Sequence, residues 1–171
     1  MPVGTSYLGA PVMSNLVFPS SGYVDPRTGQ NITYTGLRID SVLFTVSRSK
    51  VIVSEGVLGG DGTVNEWIAN GDYNIDIAFI LNGESFDRGG GAFDVKSIGN
   101  RFPADDLARL LVILNAPAVV KVESRFLNYF GISELLITDY NVPQRIQSYN
   151  TQEARVSAKT ELIIDLEKQA F

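Results

Sequence analysis

The sequence predicts a mainly β (α+β) fold, a small antiparallel split β-barrel or sandwich with one flanking α-helix. Two stretches, Tyr73 to Leu81 and Ala154 to Leu166, alternate apolar and polar residues with the period of a half-buried strand. A single segment, from Pro103 to Asn115, has the apolar stripe of a helix. Because strands and helices do not alternate along the chain, an antiparallel arrangement is favoured over a parallel sheet.

Length and composition are those of one compact domain. The chain has 171 residues, of which 44% are hydrophobic and 19% charged. This composition argues against a disordered chain, a collagen-like repeat and a disulfide scaffold. At this size, folding removes roughly two-thirds of the accessible surface of the unfolded chain. We therefore expect a core that needs no metal or disulfide for its stability.

The first 36 residues are predicted to form an N-terminal arm and loop, and residues 37–171 a single β-barrel-like domain. Turn-forming residues are scattered through the arm, and Asp25 to Gly29 has the proline and glycine of a hairpin tip. A segment without a core of its own needs apolar cover from elsewhere. The composition of the arm is therefore that of a segment that lies on a neighbouring subunit.

The pattern from Leu37 to Val57 predicts two strands separated by a turn at Ser47 to Lys50. A group of glycines follows at positions 56, 59, 60 and 62. Tyr73 to Leu81 is then the clearest strand of the first half, with one face firmly buried.

A helical turn is predicted between these strands, over Val64 to Ala69. Thr63 and Glu66 have capping-box spacing, in which each side chain can accept a hydrogen bond from an amide at the start of a helix. Gly71 suits the left-handed position after such a turn. Trp67 would then cover the end of the barrel.

The long helix is predicted from its ends. Pro103 suits the first helical position, and Asp105 and Asp106 lie where the helix dipole favours negative charge. Pro117 cannot continue the hydrogen-bond ladder, so the helix should end near Asn115. The remaining expected elements are a strand over Ala118 to Val122, a helical turn from Ser124 to Tyr129 followed by Gly131, a strand over Leu135 to Tyr140 and the terminal strand.

Charge and composition exclude several function classes. The formal net charge is −5, and lysine and arginine form no run, so binding to nucleic acid is disfavoured. No apolar stretch approaches the roughly 20 residues of a bilayer span. The first residues lack the basic and apolar regions of a secretory signal. We expect a chain that acts without a membrane span and is not secreted.

The sequence offers no catalytic, cofactor-binding or metal-binding residues. Histidine, the commonest general base and metal ligand, does not occur in the chain, and neither does cysteine, another common metal ligand. Asp105 and Asp106 are adjacent on the helix and do not face a common target. Gly59 to Thr63 is only a fragment of a calcium loop and lacks the lysine of a phosphate loop. A glycosidase would need two carboxyl groups facing one cleft, and no spacing proposes such a pair. We predict a protein that is not an enzyme and holds no cofactor.

Aromatic residues leave a sugar-binding module open as an alternative, because exposed ring faces stack on sugars. The candidates are Trp67, Tyr73, Tyr129, Tyr140 and Tyr149.

The segment from Gly62 to Ile77 closely resembles a pattern in proteins of tailed phages of Bacteroidetes that are grouped with tail and baseplate components. Asn65 stands where those proteins usually have lysine. The resemblance covers roughly Gly36 to Asp165. Further shared steps, in the same order, are Phe102-Pro103, Ala116-Pro117, Ser124 to Asn128, Phe130 to Ile132 and Asn150 to Gln152.

This resemblance implies a structural component of a phage tail or a related contractile injection particle, a baseplate or tube-proximal ring protein that acts by assembly. By analogy, the fold is similar to that of tail-tube, tube-initiator and distal-tail proteins, whose sheets associate edge to edge into hexameric rings. The implied partners are other tail or baseplate proteins and further copies of the chain. The implied location is the virion, assembled in the cytoplasm of the bacterial host, or an injection-system particle. A carbohydrate-binding module at the tail tip is the alternative.

Two segments are predicted to contact neighbouring subunits, because ring formation can cover an arm and order a glycine-rich loop. The first runs from Val12 to Phe18 and the second from Gly83 to Gly91. The individual residues predicted at this interface are Val12, Leu16, Val17, Phe18, Gly89, Gly90 and Gly91.

Overall fold

A computed structural model describes residues 4–5, 11–12, 14–85, 97–98, 102–144 and 149–160. In chain order, the strands are β1 (Gly4–Thr5), β2 (Pro11–Val12), β3 (Leu16–Phe18), β4 (Ser21–Val24), β5 (Asn31–Tyr34), β6 (Leu37–Ile39), β7 (Val42–Gly56), β8 (Thr63–Asn82), β9 (Glu84–Ser85), β10 (Ser97–Ile98), β11 (Val120–Lys121), β12 (Glu134–Asn141) and β13 (Thr151–Lys159), and the helices are α1 (Ala104–Leu114) and α2 (Arg125–Asn128).

The fold is mainly β, as predicted, and is built on one five-stranded antiparallel sheet. The strand order in this sheet is β11-β12-β13-β8-β7. Four two-stranded sheets accompany it, namely β1-β2, β3-β6, β4-β5 and β9-β10. Among the described residues the main sheet is open rather than closed into a barrel, with β7 and β11 as its edge strands.

The core lies on one face of this sheet. The predicted alternation of β8 is confirmed, because Ile75, Ile77, Phe79 and Leu81 are all buried while the residues between them are more exposed. Ala154, Val156 and Ala158 continue the buried surface on β13, and α1 adds Leu110, Ile113 and Leu114. A sheet with one apolar face requires such a cover, which explains why the single long helix packs there.

Strand β3 joins the arm to the core across the predicted boundary at residue 36. Leu16 pairs with Ile39 and Phe18 with Leu37. Val17 and Glu123 exchange two backbone hydrogen bonds, of 2.9 and 2.8 Å. Residues 16–18 therefore belong to the same core as the chain after residue 36.

The predicted turn at Asp25 to Gly29 is confirmed as the tip of the β4–β5 hairpin. The Asp25 carboxylate accepts hydrogen bonds from the Arg27 amide at 2.8 Å and the Thr28 hydroxyl at 3.0 Å. Gly29 has a φ of 69°, a left-handed conformation that favours glycine.

Helix α1 is confirmed with a small shift at its start. Pro103 occupies the N-cap position rather than the first helical position, and Asp105 and Asp106 lie in the first turn. The helix ends at Leu114 with Asn115 as its C-cap, as expected from Pro117. The helical turn predicted after Ser124 is α2, and Gly131 follows it with a φ of 70°.

The structure corrects two predictions between residues 47 and 71. The turn predicted at Ser47 to Lys50 and the helical turn predicted over Val64 to Ala69 are both wrong, because β7 and β8 form one continuous hairpin there. Thr63 pairs with Gly56 and Glu66 with Val53, so the backbone groups that a capping box would satisfy take part in the sheet.

The terminal strand starts earlier than predicted, at Thr151, and is observed to Lys159. The part of its predicted range from residue 161 onward lies outside the described residues.

Candidate assembly surface

The two longest strands continue past the core as a two-stranded ribbon. We define the ribbon as residues 48–56 of β7, the turn 57–62 and residues 63–71 of β8. Every side chain from residue 48 to residue 70 is exposed, although the same strands bury their side chains in the body of the protein. Nine residues of strand span roughly 30 Å. The ribbon therefore projects from the body with both of its faces uncovered.

The tip of the ribbon is a turn that needs glycine. Gly59 and Gly62 have φ values of 83° and 125°, in a region that residues with a Cβ rarely occupy. The Val57 amide donates to the Gly62 carbonyl at 3.3 Å, and the Gly60 amide to the Val57 carbonyl at 3.3 Å. These bonds close the hairpin and leave Leu58 fully exposed at its end.

The register of the ribbon assigns its side chains to two faces. Ser54 lies opposite Asn65, and its hydroxyl donates to the Asn65 Oδ1 at 2.6 Å, so opposed residues share a face. The register shifts between Arg48 and Lys50 and between Val51 and Ile52 each place an additional residue in β8. Strand β7 therefore keeps its alternation, with even-numbered residues on one face and odd-numbered residues on the other.

These two faces differ in charge. The basic face carries Arg48, Lys50 and Ile52 on β7, with Tyr73, Asn70 and Trp67 opposite them. The acidic face carries Val51, Val53 and Glu55 on β7, with Ala69, Glu66 and Val64 opposite them.

Both faces and the tip also expose large apolar side chains. Trp67, for example, is 59% exposed, so it does not cover the end of the body as the sequence predicted. A two-stranded hairpin in water is marginally stable at best, and contiguous exposed apolar groups mark interaction sites. The ribbon is thus the candidate functional site. Its exposed large apolar residues are Val51, Ile52, Val53, Val57, Leu58, Val64, Trp67 and Ile68.

An aromatic cluster fixes the base of the ribbon to the body. The Arg48 guanidinium lies 4.5 Å from the centre of the Tyr73 ring, and its Nε donates to the Gly71 carbonyl at 2.7 Å. The Phe130 ring meets the Tyr73 ring edge-on at 6.0 Å, and Phe126 stacks on Phe44 at 5.6 Å. Such contacts add to the packing of the rings. Helix α2 and the residues after it therefore pack against the base of the ribbon and fix its orientation relative to the main sheet.

Strand β7 also has an unpaired side. In the described residues it pairs along its length with β8 and forms the edge of the main sheet. The backbone groups on its outer side are directed away from β8 and can pair with another chain.

The structure places the predicted interface residues in different environments. Leu16 and Phe18 are 0% and 1% exposed and pack in the core of this chain, so these two side chains present no surface to a neighbour. Val17 is partly buried between them. The backbone of Val12 lies in β2, opposite Gly4. Gly89, Gly90 and Gly91 lie outside the described residues.

Sequence reasoning missed the ribbon, although a signal for it exists. Two runs rich in β-branched residues flank the glycine-rich segment from Gly59 to Gly62, which is the pattern of a hairpin with a longer loop. The capping-box spacing of Thr63 and Glu66 competed with that signal.

The described part of the chain shows neither of two further features, a metal-binding cluster and a membrane-spanning helix. It holds no group of three or more histidine, cysteine, aspartate or glutamate residues placed to bind a metal ion. None of its helices combines the length and the apolar character that crossing a membrane requires.

Comparison with known families places most of the chain in one of them. Residues 38–169 match the family described as a domain of unknown function, DUF6046. The chain belongs to this family. The DUF6046 match begins within β6 and includes the whole ribbon, both helices and the main sheet. No curated protein matches the chain.

Proposed function

We propose that this chain is a structural component of a phage tail or a contractile injection particle, a baseplate or tube-proximal ring protein that acts by assembly. The observation that carries the proposal is the ribbon. Among the described residues it has no third strand, and its exposed apolar side chains form the kind of surface that another protein covers. A protein whose most conspicuous feature is such a surface works by binding other subunits.

The sheet edge supports a ring in particular. A long unpaired edge strand such as β7 is a hazard for uncontrolled association. Closed cyclic symmetry removes that hazard, because each subunit covers the exposed surface of the next. A homo-oligomeric ring, hexameric by analogy with tail-tube proteins, therefore suits the observed edge and ribbon.

The assignment to phage tails rests on the sequence resemblance from Gly62 to Ile77. This segment forms the second strand of the ribbon and its continuation into the core. Some of the residues that carry the resemblance, such as Glu66 and Trp67, are therefore exposed. Packing in the core of this chain does not explain why these residue types stand at those positions. Partners in the proposed role are other tail or baseplate proteins, and the proposed location is the virion or an injection particle.

The test is to find the chain in particles. Tails or injection particles purified from the producing bacterium would be examined by mass spectrometry, and the chain would be placed in the density by electron microscopy. We expect several copies arranged about the particle axis, each with its ribbon against a neighbouring subunit. Absence of the chain from intact particles, with the other tail proteins present, would contradict the proposal.

A carbohydrate-binding module at the tail tip is the second candidate. The exposure of Trp67, at 59%, and of Tyr129, at 75%, favours it, because exposed rings are the surfaces on which sugars stack. A glycan array separates the two functions. Binding that is lost in Trp67→Ala and kept in Val24→Ala, a change at an exposed residue outside the candidate set, would support the module, whereas an array without hits supports assembly alone.

A further inference from the structure

The ribbon has two faces of opposite charge. Lys50 and Arg48 lie on the basic face beside Ile52 and Trp67. Glu55 and Glu66 lie on the acidic face beside Val51, Val53 and Val64. Each face therefore combines exposed apolar side chains with charge of a single sign.

The charges of Lys50, Glu55 and Glu66 are not paired within the ribbon. Lys50 lies opposite Asn70, Glu55 opposite Val64 and Glu66 opposite Val53, so no pair of opposed residues combines opposite charges. Opposed charges of unlike sign would stabilise a two-stranded ribbon. Within the described part of the chain, Lys50, Glu55 and Glu66 form no ion pair; the pairs found there, Arg38 with Asp40 and Arg109 with Asp106, lie elsewhere.

The geometry points to a second copy of this chain as the partner of the ribbon, with the basic face of one copy stacked on the acidic face of the next. This inference rests on the proposed function and names the partner of the same surface. A face that is apolar and basic is complementary to one that is apolar and acidic, and one ribbon carries both. Stacking of a basic face on another basic face, or an acidic face on another acidic face, would bring like charges together.

Such an interface joins two different surfaces and is therefore head-to-tail. Head-to-tail interfaces form closed rings when the rotation between subunits closes and open filaments when it does not. A two-fold dimer, in which each face would meet its own copy, is disfavoured by the charges. The charges of the ribbon therefore favour an assembly in which all subunits point in the same direction.

The test reverses the charge of one face at a time. Beyond Arg48, whose guanidinium contacts the Tyr73 ring and the Gly71 carbonyl, Lys50→Glu makes both faces acidic. Glu55→Lys with Glu66→Lys makes both faces basic. Each variant is expected to raise the concentration needed for half-assembly by about tenfold or more, because like charges then meet. All these side chains are exposed, so folding is expected to be unaffected, and circular dichroism checks that. Assembly is measured by light scattering after size-exclusion chromatography, with negative-stain images to identify rings or filaments.

Restoration of assembly is the decisive measurement. Beyond Arg48, the triple variant with all three reversals again has one acidic and one basic face, and it is expected to assemble to within about threefold of the wild type. A mixture of the two single-face variants should likewise assemble, with the two chains alternating. Lys121→Glu, which changes the net charge as Lys50→Glu does but lies at the opposite edge of the sheet, should assemble as the wild type does.

Three outcomes would overturn the inference. These are full assembly of both single-face variants, a triple variant that assembles no better than either of them, and a wild-type chain that stays monomeric up to its limit of solubility. None of these results removes the chain from tail particles, so the proposed function would then be judged separately, by the composition of purified particles.

Discussion

Phe18 lies in a segment whose composition indicates an exposed arm, yet its side chain is buried in the core. The backbone of β3 pairs with β6, and this pairing places Leu16 and Phe18 on the apolar side of the molecule. The contacts of a residue therefore follow from its strand partner and not from the average composition of its segment. Interface and core positions can alternate within three residues, since neighbouring side chains in a strand point in opposite directions.

Replacement of Phe18 tests this placement. Phe18→Ala should lower the free energy of unfolding of the monomer by about 3–5 kcal/mol, because a fully buried ring is lost and a cavity remains. Urea unfolding followed by circular dichroism measures the change. Val24→Ala, at a residue that is 57% exposed on β4, is the control and should cost less than about 1 kcal/mol. Unchanged monomer stability in Phe18→Ala, with loss of assembly alone, would restore Phe18 to the interface.

Asp25 gives a pH dependence at the tip of the β4–β5 hairpin. The hydrogen bond from the Arg27 amide, followed by that from the Thr28 hydroxyl, holds the pKa of the Asp25 carboxyl below its ordinary value. A carboxyl with a lowered pKa in the folded state adds stability above its unfolded pKa and loses it as the pH falls through the folded pKa. The stability difference between wild type and Asp25→Ala should therefore be largest above about pH 4 and shrink below it.

Urea midpoints of the two proteins across that pH range measure the difference, and the NMR titration of the Asp25 carboxyl carbon measures the pKa directly. A stability difference that grows as the pH falls would show that the carboxyl is not stabilised in its charged form.

The elements differ in how well the sequence predicts them, and burial explains the difference. Residues 75–81 of β8 were predicted because one buried face imposes a strict alternation of apolar and polar residues. Helix α1 was predicted because its proline, its first-turn aspartates and its leucine stripe are local signals. The ribbon has no buried face, so its pattern is not alternating, and Val51, Ile52 and Val53 are consecutive apolar residues.

The candidate site was harder to predict than the fold for the same reason. The three-residue spacing from Thr63 to Glu66 is compatible with a helix start, but it carries no information about the partner strand, which decides the backbone conformation. Pairing with β7 overrides it. The interface predicted from the sequence was placed on the arm and on a glycine-rich loop, whereas eight exposed large apolar side chains lie in the ribbon.

Hydrogen exchange tests the stability of the ribbon as an element. In the monomer, the amides of residues 50–56 and 63–70 should exchange much faster than those of Ile75 to Leu81, because the ribbon has no third strand and no buried side chains to oppose opening. In the assembled state, the ribbon amides should become protected while those of the core strand change little. Equal protection of ribbon and core in the monomer would show that the ribbon is stable alone and would remove the main reason to expect a partner.

In the whole molecule, the buried core lies in the body, whereas the surface proposed for assembly lies in the ribbon. None of the residues of the core cluster belongs to the ribbon, and the ribbon contacts the body through its base at Arg48 and Tyr73. We therefore expect the body to fold without the ribbon and the core to be kept when the ribbon is changed. This separation makes the assembly proposal testable in a folded protein.

Shortening the hairpin uses this separation. The Tyr73 amide donates to the Thr160 hydroxyl and the Tyr73 carbonyl accepts from the Thr160 amide, so Arg48 and Tyr73 form a non-hydrogen-bonded pair of the hairpin. Replacing residues 50–71 with an Asn-Gly turn therefore leaves Ser49 and Asp72, the next positions along the two strands, to close the two-residue loop with hydrogen bonds. The shortened chain keeps Phe44, Tyr73 and the aromatic contacts with α2. Its thermal midpoint is expected to stay within about 4 °C of that of the wild-type monomer, which corresponds to roughly 1 kcal/mol for a protein of this size.

The same variant should be monomeric at concentrations where the wild type assembles, since its apolar and charged ribbon faces are gone. Light scattering measures the oligomeric state, and differential scanning calorimetry measures the midpoint on the same sample. A shortened chain that still forms the wild-type oligomer would place the interface on the body, where, among the described residues, the outer side of β7 from Phe44 to Arg48 is the remaining unpaired edge. A shortened chain that unfolds would instead show that the ribbon contributes more to the stability of the core than its exposure indicates. The loss of unfolding free energy in Phe18→Ala is the value with which that contribution can be compared.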